Sequence, residues 1–217
     1  MKQVADAFRE ALASMPRGEI DYDLGTDIRM NAVEAQPRYV EEQMDVSQGK
    51  LVMGFRLGEC MEEPDVAAIH VFNSVYGSGS TSKLFMNVRE KLSLCYYASS
   101  SYARSKGILT VSSGVETKDF RRAEEEIGRQ LAAVQRGDWE DWEQEGALQA
   151  IRASLLSLSD SQGALENFYL GQIASGVEET PEELAAALEQ VTKERIMAAA
   201  QTVKPDTVYF LSGKEEA

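Results

Sequence analysis

At 217 residues, 43% of them hydrophobic, the chain has enough apolar material for a medium-sized domain with a real buried core. Its 22 Lys and Arg against 36 Asp and Glu leave a formal net charge of -14. That balance argues against nucleic acid and against an anionic membrane surface, since both are held by clustered cationic side chains. No run approaches the roughly 18 to 20 apolar residues of a membrane span, and Met1–Asp6 lacks the apolar core of a signal peptide. The expectation is a soluble, cytoplasmic protein whose acidity serves solubility.

In chain order, Val4, Phe8 and Leu12 recur at steps of four, which predicts an amphipathic helix over 3–14, ended by Pro16, Arg17 and Gly18. A polar stretch with breaks at Gly25, Asn31 and Pro37 follows. Strand chemistry begins at Tyr39 and Val40. After a Gln48-Gly49 turn, Leu51, Met53, Phe55 and Leu57 alternate with Val52, Gly54 and Arg56. Pro64-Asp65 starts a helix bearing Val66, Ile69, Val71, Phe72 and Val75. The glycine- and serine-rich run 77–82 is a loop whose Thr81 or Ser82 caps a short helix ending near Leu92. Segments 95–104 and 108–115, parted by Lys106-Gly107, form a hairpin.

The remainder is mostly helical. A stripe at Phe120, Ala123, Ile127, Leu131 and Val134 is stopped by Gly137. A second long helix carries Trp142, Leu148, Ile151, Leu155 and Leu158, and a third carries Leu165, Phe168, Leu170 and Ile173. Thr180-Pro181-Glu182-Glu183 is a capping box with proline at the first helical position. Thr192 opens a last helix, and Val208–Leu211 a last strand. Hairpins and long helical excursions in this order predict an α+β fold, with helices on one face of a mainly antiparallel sheet.

The chemistry is bounded by a single histidine, His70. One imidazole cannot supply the paired His of a zinc peptidase helix, in either H-E-x-x-H or H-x-x-E-H order. It also removes most serine and cysteine triads. Cys60 and Cys95 are far apart and form no C-x-x-C, so no metal site and no disulfide framework is expected from this chain. Cys95 has no flanking cation and is read as a buried thiol. Run 77–83 follows a predicted helix, and Lys83 precedes Leu84, so it is not a phosphate loop. The carboxylates between Glu124 and Glu145, Glu126 and Glu143 among them, are read as charges on solvent faces.

The segment FNSVYGSGSTSKLFMNVREKLSLCYY, 72–97, resembles the later-domain signature of the pitrilysin/insulinase-type zinc peptidases and mitochondrial processing peptidase subunits. Its specific part is Ser82-Lys83-Leu84-Phe85, then Val88–Leu92, then Tyr96. The tail from Val191 through Pro205-Asp206 to Gly213 is similar too. Lys83, where arginine is frequent, and Cys95, where small residues are frequent, are mild departures. The wording resembles most the bacterial homologues without zinc ligands.

The resemblance implies a metalloprotease-like domain from a clan whose paired α+β domains enclose a peptide chamber. One domain carries H-x-x-E-H and zinc, and the other holds substrate with an arginine and a tyrosine. Arg89 and Tyr96, seven positions apart, match that pair. Read from the residues alone, Arg89 would pair with a nearby Glu and Tyr96 would fill core. Under the resemblance, Arg89 offers fixed donors to a peptide carbonyl or carboxylate, and Tyr96 offers its hydroxyl to a carbonyl oxygen gaining charge.

Residues 1–217 are then expected to be a single C-terminal, processing-peptidase-like domain of a longer two-domain protein, or a separate half. Catalytic residues are expected to be none in this chain, and zinc to reside in the preceding domain or in a homo- or heterodimer partner. The expected function is the noncatalytic, substrate-holding half of a zinc-dependent peptidase. The alternative is a peptide- or protein-binding assembly module that has lost peptidase function.

Overall fold

The computed structural model describes residues 2–16, 18–19, 35–57, 65–174 and 177–213. Cys60, the breaks at Gly25 and Asn31, and Pro64 lie outside them. Helix α1 (Lys2–Leu12) forms as its spacing predicts. No residue of it is buried, however, and Phe8 is 64% exposed. The apolar stripe has no covering partner among the described residues.

Strands β1 (Arg38–Met44), β2 (Gly49–Leu57), β3 (Cys95–Ala103), β4 (Ile108–Val115) and β5 (Val203–Gly213) form one sheet in the order β1-β5-β2-β4-β3. The β2/β4, β2/β5 and β3/β4 pairs are antiparallel. β1 runs parallel to β5, with Val40 opposite Tyr209. The chain's first two strands are therefore not neighbours, because the last strand enters between them. Period-two burial sets the register: Leu51, Met53, Phe55 and Leu57 are buried, while the residues between them are not. The β3–β4 connection closes with Gly107 in the left-handed region, at φ 59°.

The buried side holds α2 (Val66–Tyr76), α3 (Phe120–Gln135), α4 (Asp141–Ser157), α6 (Pro181–Glu189) and α7 (Lys193–Gln201). Ile69, Phe72, Val75, Ile127, Val134 and Ile196 are fully or almost fully excluded from water there. Helices on one face of a mainly antiparallel sheet make this the expected α+β arrangement. Asp65 caps α2 by accepting from the Ala68 amide at 3.1 Å. Its carboxylate also takes the Arg195 fork at 2.7 and 2.8 Å, tying α2 to α7. Those guanidinium hydrogen bonds hold the Asp65 carboxyl below its ordinary pKa. The Thr180 capping box is complete, with both reciprocal hydrogen bonds made.

Helix α5 (Gln162–Ala174) departs from the expected pattern. The helix is present, yet Leu170 and Ile173 of its apolar set face solvent. Its hydrophobic residues lie all round the axis, so one side cannot bury them all.

Candidate functional site

The short helix beyond the serine-rich loop is wound as a π-helix, Leu84–Lys91. Such i→i+5 winding is rare and concentrates at functional positions. Ser82 supports its start, its hydroxyl accepting from the Phe85 amide at 3.3 Å, as the capping expectation required. Leu84 and Val88 are fully buried and fix one side of the helix. Arg89 lies on the other side, 43% exposed, with its guanidinium 4.7 Å from the centre of the Phe85 ring. Its ionic partner is adjacent Glu90, at 3.6 Å. Both members of that pair are exposed, so it holds Arg89 weakly.

The helix leaves through a left-handed turn. The amides of Ser93 and Leu94 return to the carbonyls of Arg89 and Val88, each at 3.1 Å. Ser93 takes φ 49°, the one positive φ at a non-glycine among the described residues. An L-residue there costs roughly 1 kcal/mol that glycine avoids. Ser93→Gly is therefore expected to raise stability by about 0.5–1 kcal/mol. A urea midpoint that stays put or falls would show the turn to be unstrained.

Tyr96 follows at the start of β3, one of the sheet's two edge strands among the described residues. Cys95 pairs with Val115 and Tyr97 with Gly114, so Tyr96 is an extra residue, a β-bulge. Regular alternation would place it with Ala98, Ser100 and Tyr102, pointing at the helices. The bulge breaks that parity, and Tyr96 is 79% exposed. It does not fill core, contrary to the reading from residues alone. Cys95 is half-buried: burial pushes its thiol up, while the Ser113 hydrogen bond and the charge of Arg89 pull the other way. The π-helix that carries Arg89 packs against β3, the strand that carries Tyr96. The two elements present a cation resting on an aromatic face and an exposed phenol at the end of an edge strand.

Behind these elements lie groups that a reading of charge runs missed. Glu126 and Glu143 are buried, each 5% exposed, and not on solvent faces. Glu143 takes Lys83 Nζ at 3.0 Å. Glu126 takes Gln130 Nε2 at 2.6 Å and also a hydrogen bond from Arg129. Burial of a carboxylate is tolerated where such partners satisfy it. The Phe85–Arg89 contact was open to detection as an i, i+4 pair. The bulge and the π winding have no sequence signal.

His70 is half-buried on α2, edge-on to the Tyr102 ring with centroids 5.8 Å apart. Removal from water, aided by the charge of Arg104, lowers its pKa to about 4. Among the described residues no group of three or more His, Cys, Asp or Glu is placed to hold a metal ion. No helix of these residues is long and apolar enough to cross a membrane.

Residues 3–151 match the family model described as Peptidase M16 inactive domain. A probable inactive metalloprotease of Bacillus subtilis (strain 168), YmfF, is 41% identical over 184 residues, covering 85% of this chain and 43% of that protein. An uncharacterized zinc protease of the same organism, YmxG, is 28% identical over 160 residues, covering 72% of this chain and 39% of its own length. The chain thus spans less than half of each of these relatives. In structure, a conserved protein from Enterococcus faecalis V583 superposes with TM-score 0.83 at 28% identity, over the whole chain and 50% of its own. A protease from Helicobacter pylori superposes with TM-score 0.78 at 14% identity, over 97% of this chain and 52% of its own, a likeness of fold. The chain belongs to the M16, pitrilysin/insulinase-type peptidase family, and corresponds to its inactive domain.

Proposed function

We propose that this chain is the substrate-holding, noncatalytic half of a zinc-dependent peptidase. It completes the peptide chamber of a half that carries H-x-x-E-H, supplied as a preceding domain of a longer two-domain cytoplasmic protein or as a dimer partner. The observation that carries the reading is the bulge that turns Tyr96 out of the strand alternation, on a strand packed against the π-helix that carries exposed Arg89. Buried pairing would make both residues structural; their exposure on adjoining elements makes them available to a peptide. Arg89 donates to a backbone carbonyl or a terminal carboxylate of that peptide. Tyr96 donates its hydroxyl where the attacked carbonyl oxygen gains charge. Zinc belongs to the other half and supplies the activated water.

The test is cleavage of a quenched-fluorescent peptide library, with metal analysis, by the chain alone and mixed with a zinc-bearing homologue from the same genome. The expected result is no cleavage alone and zinc-dependent cleavage in the mixture. Arg89→Ala and Tyr96→Phe should then each lower kcat/KM by about 30- to 300-fold without unfolding the chain. Full activity of both variants overturns the assignment. Among the described residues β3 is also an open edge, suited to receive a peptide as an added strand. A zinc-loaded mixture that binds peptides yet cleaves none favours that second reading, a binding module that has lost peptidase function.

A further inference from the structure

Arg89 has no firm anchor of its own: an aromatic face and one exposed neighbour do not set its direction. Its aim is set by the winding of Leu84–Lys91, and the structure shows what holds that winding. Asn87 sits in the middle of the π-helix, and its Nδ2 donates twice. One bond runs back to the Lys83 carbonyl at 3.0 Å, and the other crosses to Gln130 Oε1 on α3 at 3.1 Å.

In an α-helix the Lys83 carbonyl would take the Asn87 backbone amide. Here the Asn87 side chain donates to it, which favours a winding the backbone alone disfavours. Gln130 is fixed in turn by donating to buried Glu126 at 2.6 Å. The amides run in one consistent donor-to-acceptor order from Asn87 to Glu126. The chain therefore ties the middle of the helix to the rigid core through α3.

We propose that Asn87, anchored through Gln130 to Glu126, is a positioning residue that holds the π winding and thereby aims Arg89 at the peptide. The proposal rests on Arg89 being the substrate-holding residue, as argued above. With the tie removed, residues 84–91 regain i→i+4 bonding, and every residue beyond Asn87 rotates about the helix axis. Arg89 then leaves the Phe85 ring and loses its present direction. Misplacement on this scale costs between about tenfold and 100-fold in rate.

Two measurements test it. The first is a crystal structure of the Asn87→Ala chain, which needs no partner. Rewinding of 84–91 with Arg89 displaced from Phe85 is expected, and an unchanged π-helix with Arg89 still on the ring overturns the proposal. Gln130→Met, which spares the bond to Lys83, is expected to give a partial form of the same shift. The second is a double-mutant cycle in the peptidase mixture. Asn87→Ala should lower kcat/KM about tenfold or more, chiefly through KM, and should add nothing in the Arg89→Ala background. If Asn87→Ala is silent, or its loss adds in full to that of Arg89→Ala, the positioning role falls while the role of Arg89 stands. If Arg89→Ala itself is silent, both fall.

Discussion

Lys83→Met is expected to destabilise the protein by about 3–5 kcal/mol, the cost of stripping a buried carboxylate of its partner. The side chains of Lys83 and Glu143 are only 13% and 6% exposed, so water does not replace the lost ammonium. Glu143 would keep its bond from the Glu140 amide at 2.8 Å, which serves the α4 capping box but does not neutralise the charge. Adding Glu143→Gln should recover most of the loss, since the amide keeps the cap acceptor and carries no charge. Urea unfolding of the single and double variants decides the matter. A Lys83→Met loss under about 1 kcal/mol would place the pair in effective contact with solvent.

Acid should weaken the fold through His70 before the carboxylates titrate. The unfolded imidazole has a pKa near 6.5, and the folded one is lowered to about 4. The unfolded state therefore binds the proton first, and stability falls as pH drops. The contribution is complete above about pH 6.5 and is lost progressively down to about pH 4. Between pH 7 and pH 5 the expected loss is about 2 kcal/mol. This is the chain's one histidine, so no second imidazole blurs the slope. His70→Phe should flatten the stability profile across that window. An unchanged slope in the variant would mean that His70 keeps its ordinary affinity for protons in the folded chain.

Most of the architecture was legible because it rests on local periodicity. The alternation at Leu51–Leu57 and the stripe at Phe120–Val134 each have one water-excluded face, and each element formed where its pattern placed it. Capping was legible for the same reason, since Thr180 and Ser82 act on amides three residues away. What escaped depends on distant partners. The insertion of β5 between β1 and β2 is a choice among pairings that no short window contains. Glu143 looks like a surface charge until Lys83, 60 residues away, is folded onto it; Glu126 has its partners Arg129 and Gln130 within α3, and only the packing of that helix buries it. Within the site, the Arg89 and Tyr96 pair came from a resemblance of spacing. The bulge that exposes Tyr96 is a register shift against β4, invisible in the Tyr96-Tyr97 dipeptide.

The place of β5 also sets a timetable for synthesis. Among the described residues β1 has no partner but β5, and β2 lacks one of its two neighbours, until residues 203–213 have been made. At bacterial and eukaryotic elongation speeds, the interval from Leu57 to Val203 lasts about 7 to 30 s. Throughout it, both edges of β1 and one edge of β2 remain open to foreign strands. The nascent chain thus completes this sheet only once residues 203–213 have been made, and its window for misassembly is long compared with the microsecond closure of a hairpin.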